Sequence, residues 1–432
     1  MARNAVVVGR ATGLGVALAV VTCGLLAGCG GGGGSRPGAP TSATTPSPGP
    51  SPAPVDVSFL HVRQEGGDIA TYQIDAATGR LQLAGTQRLG DVRALVGDPD
   101  GRYVYAAFDP RNLPVDPPGD ASIALYEADA SGSLLARSEA SSRPWELGHG
   151  YDCGNYGWTW LAASRDRVWG MWLSRYAGGC HHEAYTAITH AVTAGGQLEP
   201  AARGDSWIDS GWAAIDPAAD VLYKSRYGFL YYGPGALTAH AVEPDGRLRI
   251  TGYSSLCAAS EVSQVKPLAA TQGFVFGSGD GEGAVCSWEG TRLAPRANLG
   301  FAASEGAAFS PTDSTAATLL AMSGDVRTPH YVYRRTDLRL LTMEGDGGVA
   351  LLDTVELPSR VLQLLFHPSG RFLYVADEDG RLRTYAVSPG RRLDPIESVP
   401  DAARPSVGGD WPYYDAEPPF MAVSVRSNVP RL

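Results

Sequence analysis

A carboxylate held beside an arginine can activate water as a base while the guanidinium steadies a developing oxyanion. Five charged residues stand just before or within short apolar runs where such a pair could assemble: Arg93, Glu261, Lys266, Glu305 and Arg360. Glu261 or Glu305, with Arg93 or Arg360, would supply the base and the cation. The plainer reading of the same residues is a satisfied ring of charges in a watery channel. No Gly-x-Ser-x-Gly elbow occurs in a strand-to-helix setting, which sets aside the usual serine-hydrolase arrangement.

Aromatic residues are dense in certain connecting segments. Trp145, Tyr151, Trp158, Trp207, Trp212, Trp411, Tyr413 and Tyr414 could stack on a ligand or anchor a protein partner, with His149 and Asp152 as polar neighbours. Trp160, Trp169 and Trp172 fall in strand-like runs and are expected to pack inside. His181-His182-Glu183 suggests a metal, but adjacent histidines in an extended loop diverge, and one ion would need further ligands such as His149 or Asp152. No metal and no cofactor is therefore expected.

The N-terminus is of another kind. Arg3 and Arg10 precede the apolar run GLGVALAVVTCGLLAG, too short and too rich in Gly and Ala for a span, and closer to a secretory signal. Leu26-Ala27-Gly28-Cys29 looks like a lipobox, with cleavage before Cys29 and acylation of its thiol. Acyl chains contribute about 0.8 kcal/mol per buried methylene, so two or more give stable anchoring. GGGGGSRPGAPTSATTPSPGPSPAP follows and buries too little to offset its ordering entropy, so it reads as a disordered tether. The expected organisation is a signal peptide over 1–28, lipidated tether over 29–55, folded domain over 56–426 and tail over 427–432. The expected location is outside the cytoplasm, on a bacterial membrane through the lipid on Cys29.

Thirty-five basic residues face 45 acidic ones, a formal net charge of −10, and no Lys/Arg cluster interrupts that balance. Nucleic acid and anionic surfaces are poor partners for such a chain. Beyond Cys23 and Cys29, four cysteines remain: Cys153, Cys180, Cys257 and Cys286. An exported chain favours disulfides over thiolate metal sites.

Positioning all of these requires a framework, and the framework repeats. A Gly-containing turn followed by a run opening on Leu or Val recurs seven times, from Gly79-Arg80-Leu81 to Gly390-Arg391-Arg392-Leu393. Strand-like runs such as IATYQID, SIALYEAD and LRTYAVS precede these turns. Upstream lies a second turn, with Pro presetting its second position: Asp98-Pro99-Asp100-Gly101, Asp216-Pro217-Ala218-Ala219, Ser310-Pro311-Thr312-Asp313 and His367-Pro368-Ser369-Gly370. Each unit is thus four strands. With helical periodicity scarce, the fold expected is an all-β, seven-bladed β-propeller of four-stranded antiparallel blades. The first unit lacks a leading strand, and Phe420–Val425 (420–425, FMAVSV) is expected to complete blade one and close the ring.

In such a blade the two-to-three loop shares a face with the crossover to the next blade. The insertions FDPRNLPVDPPGD, LSRYAGGCHHEAY, KSRYGFLYYGPGA and SGDVRTPHYVYRRTD fall in two-to-three loops, and SSRPWELGHGYDCGNYG, YSSLCAASE and RPSVGGDWPYYDAEPP in crossovers. One face is elaborate and the other plain. Cys153 is in the crossover entering blade three and Cys180 in its two-to-three loop. Cys257 and Cys286 stand in the same relation in blade five, so disulfides Cys153–Cys180 and Cys257–Cys286 are expected.

The units GRFLYVADEDGRLRTYAV and GRYVYAAF resemble the lactonase-type seven-bladed propellers related to 6-phosphogluconolactonase, within the wider group carrying a Tyr-Val-rich repeat. The resemblance spans about Val57 to Val425 and is sharpest in blades two and seven. It implies the propeller fold and, as one activity, the opening of a small lactone in the axial channel by the charged residues named above. No catalytic residue transfers position by position, because the repeat motif is structural. The leading expectation is a monomeric, lipid-anchored module that binds a small ligand or an envelope protein through its elaborate face. The lactone hydrolase is the alternative.

Overall fold

The computed structural model describes residues 56–109, 121–142, 157–176, 182–199, 202–203, 213–216, 220–226, 236–245, 247–254, 266–271, 273–278, 283–289, 293–298, 306–311, 317–325, 336–345, 347–403 and 419–426. The chain divides into Met1–Ala53 and Pro54–Leu432, and every described residue belongs to the second unit.

Blade one begins with β1 (Val57–Arg63), β2 (Asp68–Ile74) and β3 (Leu81–Arg88). Blade two comprises β4 (Val92–Gly97), β5 (Val104–Phe108), β6 (Ala121–Ala128) and β7 (Leu134–Ser142). Blade three has β8 (Gly157–Ala163), β9 (Arg167–Tyr176), β10 (His182–Ala191) and β11 (Ala202–Arg203). Blade four has β12 (Ala213–Asp216), β13 (Val221–Arg226), β14 (Ala236–Val242) and β15 (Leu248–Ser254). Blade five has β16 (Lys266–Thr271), β17 (Phe274–Ser278), β18 (Gly283–Trp288) and β19 (Leu293–Asn298). Blade six has β20 (Gly306–Phe309), β21 (Ala317–Asp325), β22 (Thr336–Glu344) and β23 (Val349–Leu357). The last has β24 (Val361–Phe366), β25 (Phe372–Asp377), β26 (Leu382–Val387) and β27 (Leu393–Val399). The chain then supplies β28 (Met421–Arg426). Among the described residues the only helical element is the 3-10 turn Glu65–Gly67.

These strands form seven four-stranded antiparallel sheets. The sheet holding β1 is assembled from both ends of the domain, in the order β28-β1-β2-β3, with Leu60 opposite Val423 and His61 opposite Ala422. First strands touch in the order β4, β8, β12, β16, β20, β24, β28, and β28 returns to β4.

Local chemistry explains the turns. In both Asp98-Pro99-Asp100-Gly101 and His367-Pro368-Ser369-Gly370 the glycine N–H donates to the first residue's carbonyl, at 3.0 and 2.8 Å, and the glycine sits at φ +68°. In blade four Asp220 (φ +50°) takes the left-handed position after Pro217, a role a short polar side chain tolerates. In the final hairpin the residue after Gly390 is the left-handed one, Arg391 at φ +56°.

Packing is between blades. Leu60, Tyr72 and Met421 of blade one bury against Phe372, Tyr374 and Leu382 of the last blade. Tyr105, Ile123 and Leu125 of blade two bury against Trp158, Trp172 and Ile188 of blade three. Each such large side chain contributes about 1.5–3 kcal/mol of transfer free energy. Six of the seven sheets shift register between third and fourth strands. Bulges there twist the outer edges away from pairing with another chain.

Candidate functional site

The strand order fixes which connections share a face. Segments 109–120, 177–181, 227–235 and 326–335 join second to third strands, and 143–156, 204–212, 255–265 and 400–420 join one blade to the next. In these antiparallel sheets second strands end, third strands begin, fourth strands end and first strands begin at one and the same face, and the other strand ends lie at the opposite face. The two-to-three connections are shorter than the sequence suggested. Strand β9 runs on to Tyr176 and β10 begins at His182, so His182 and Glu183 are ladder residues, with His182 opposite Tyr176. Among the described residues no group of three or more His, Cys, Asp or Glu is placed to hold a metal.

At the elaborate-face end of blade two, Arg93 and Asp109 meet. Arg93 is the extra residue of a bulge in β4: Val92 pairs with Phe108 and Ala94 with Ala107, leaving Arg93 without a cross-strand partner. Its Nε lies 4.0 Å from Oδ2 of Asp109, with side chains 36% and 26% exposed. Asp109 directly follows β5, and its Oδ1 accepts the backbone N–H of Trp158 at 3.1 Å. Burial pushes the Asp109 carboxyl above the usual range, while the Trp158 N–H and the charges of Arg93 and Arg63 oppose that rise. Gly157 leaves room for the carboxylate, since a Cβ there would come within 3.3 Å of both its oxygens. Arg63, buried at the end of β1, donates to the carbonyl of Val92 at 3.4 Å.

Asp109 was not among the residues singled out from sequence. Its one signal was position: it is the first residue after the apolar run RYVYAAF and the start of an insertion. Trp158 was assigned to the crossover group and belongs to the core instead. It is fully buried in β8, packs edge-on against Trp172 (5.4 Å, 88°) and donates its indole N–H to the carbonyl of Phe108 at 2.9 Å. Gly170 makes this possible, because a Cβ at that position would meet the Trp158 ring at 2.3 Å. Trp169 and Trp172 are also fully buried, and Trp160 packs against a core cluster.

Of the other charged candidates, Arg360 exchanges backbone contacts with Glu378: its N–H donates to the carboxylate at 3.3 Å, and the Glu378 N–H donates to its carbonyl at 2.9 Å. Lys266 opens β16. Glu261 and Glu305 lie outside the described residues, as do Trp145, His149, Tyr151, Asp152, Trp207, Trp212, Trp411, Tyr413, Tyr414 and the proposed lipidation site Cys29. So do Cys153, Cys180 and Cys257. Cys286 is described, and it is placed differently from expectation. It is a buried, disulfide-bonded residue inside β18, opposite Val275, rather than in the loop before that strand.

One buried constellation looks like a hydrolase and is not one. His61 places Nε2 2.8 Å from Oγ of Ser424 and Nδ1 3.0 Å from Oγ1 of Thr71. Burial lowers its pKa to about 3, so the imidazole is neutral and can bridge two hydroxyls as one donor and one acceptor. All three residues are buried, on β1, β28 and β2. A nucleophile needs access; this group ties three strands together.

No family model matches the chain, and no curated protein matches it. Solved structures do. A 6-phosphogluconolactonase candidate from Bacteroides uniformis ATCC 8492 is 14% identical, with TM-score 0.53, covering 80% of this chain and 96% of that one. A functionally unknown protein from Desulfotomaculum acetoxidans DSM 771 is 10% identical, with TM-score 0.54, covering 86% of this chain and 99% of that one. At these identities the likeness is one of fold: the chain is a helix-poor, all-β propeller whose architecture is shared with a lactonase-like neighbour.

Proposed function

We propose that this protein is a binding module that engages a small ligand or an envelope protein through its loop-rich face, held at a bacterial membrane by lipid on Cys29. The observation that carries the reading is the one-sided distribution of connections: long segments leave the blades on a single face, and tight hairpins close the other. Rigid sheets with elaborated loops on one side are how binding surfaces are usually built. The tether after Cys29 would hold that surface away from the bilayer. The expected disulfides Cys153–Cys180 and Cys257–Cys286 belong to this reading, as staples beneath the loops.

Photo-crosslinking amino acids placed at Trp145, Trp207 and Tyr413, against Arg80, Ser131 and Arg392 on the other face, test it in intact cells. Adducts from the first set alone are expected. Adducts from the second set alone would overturn the proposal. The lipid is checked by labelled palmitate, which should enter the wild-type chain and not Cys29→Ser.

A second reading is favoured by the fold shared with the Bacteroides 6-phosphogluconolactonase candidate: hydrolysis of a small lactone, with Arg93 or Arg360 holding the oxyanion and Glu261 or Glu305 as the base. Purified protein that opens no lactone in a broad panel would remove it.

A further inference from the structure

Bulges recur in the first strands β4, β8, β16 and β24, and the extra side chains of β4, β8 and β24 differ in what they do. In β8 the extra residue is Thr159, whose hydroxyl donates back to the carbonyl of Met171 at 3.3 Å. In β24 it is Leu362, which packs against the core shared with blade one. In β4 it is Arg93, which does neither. Among the described residues its polar contact is the ion pair with Asp109, and 4.0 Å is too long for a hydrogen bond. The Asp109 carboxylate meanwhile already accepts the Trp158 N–H. A bulge re-aims a side chain, and among the described residues no hydrogen-bond acceptor meets this guanidinium.

We propose that Arg93 is the anchor for the carboxylate of a small ligand bound on the loop-rich face, beside an Asp109 charge that limits the site to singly charged anions. The planar fork of a guanidinium matches a planar carboxylate through two parallel hydrogen bonds. The neighbouring Asp109 charge disfavours a dianion, whether phosphate or a dicarboxylate, so a monocarboxylate is the class assigned. This rests on the binding reading above and narrows it to one subsite and one ligand chemistry.

Titration calorimetry of the whole purified protein provides the test at pH 8, with butyrate as probe, butyramide as its uncharged counterpart and inorganic phosphate, doubly charged there, as the competing anion. Wild type is expected to bind butyrate in the millimolar range and to leave butyramide and phosphate unbound. Arg93→Gln should weaken butyrate about 10-fold or more, the loss of a charge-assisted pair. Arg93→Lys should fall between, since it keeps the charge and loses the fork. Asp109→Asn, which can still accept the Trp158 N–H, should bind butyrate as well as wild type or better and should begin to admit phosphate. Unchanged affinity in Arg93→Gln, no butyrate binding by wild type, or phosphate preferred to butyrate would each overturn the assignment. Crosslinking from the loop-rich face, repeated in Arg93→Gln, separates the two ideas. Adducts persisting while butyrate binding is absent would sink this inference and leave the broader one standing.

Discussion

The side-chain amide of Gln363 holds the backbone of Met421 on both sides: Oε1 accepts its N–H at 3.0 Å, and Nε2 donates to its carbonyl at 3.4 Å. Oε1 also accepts the N–H of Phe420 at 2.8 Å. Gln363 is on β24 and Met421 opens β28, so one side chain joins the last blade to the strand that completes the first. Across the other flank, Leu95 N–H donates to Pro419 and Val425 N–H to Gly101, both at 2.6 Å. Gln363→Leu keeps the volume and leaves three backbone groups unmatched. Urea unfolding should show a loss of about 1–3 kcal/mol. Unchanged stability would show that the seam is held by apolar packing alone.

Gly97 marks how closely β4 approaches β28. A Cβ there would stand 2.7 Å from the carbonyl oxygen of Val423, a backbone atom that cannot step aside. Gly97→Ala should therefore force the two first strands apart and destabilise the domain by about 1–3 kcal/mol, as overpacking does. Thermal unfolding measures it. Gly273→Ala is the comparison: φ is +82° but no atom lies within 4 Å of the added methyl, so its cost is backbone strain without a clash.

Acid should unfold this domain through its histidines. Burial lowers His61 and His240 to about 3 and His367 to about 4, and it lowers His190 as well. Each is neutral when folded and takes a proton near pH 6.5 when unfolded. The stability each contributes is complete above about 6.5 and is lost as pH falls toward the folded value, at about 1.4 kcal/mol per pH unit per group. Asp98 works the other way: burial raises it to about 6, so protonation below that favours the folded chain and offsets part of the loss. Chemical denaturation between pH 7 and 4 should show falling stability, with a shallower slope in His61→Gln. Equal slopes in the two proteins would remove His61 from the account.

Digestion under non-reducing conditions should yield peptides linking Cys153 to Cys180 and Cys257 to Cys286. Crossed pairs would overturn both the pairing and the loop assignment from which it was expected. Reducing the bonds should lower stability by about 2–4 kcal/mol in total or more, most simply because the unfolded chain gains freedom.

What the sequence determined by itself is the part written in local chemistry. Pro99 and Pro368 with Gly101 and Gly370 specify turns whatever surrounds them, and alternating Val, Tyr and Leu specify half-buried strands. These signals are short-range, so the repeat could be read by eye, together with the want of a first strand in blade one. The rest depended on partners far apart in the chain. Trp158 reads as a loop aromatic until Gly170 and Trp172 make a slot for it. Cys286 reads as a loop residue until β17 and β19 pair on either side. Asp109 reads as one acid among many until β8 brings the Trp158 N–H to it and the bulge in β4 turns Arg93 alongside. A site is made of groups from different strands, and only packing sets the few ångströms between them.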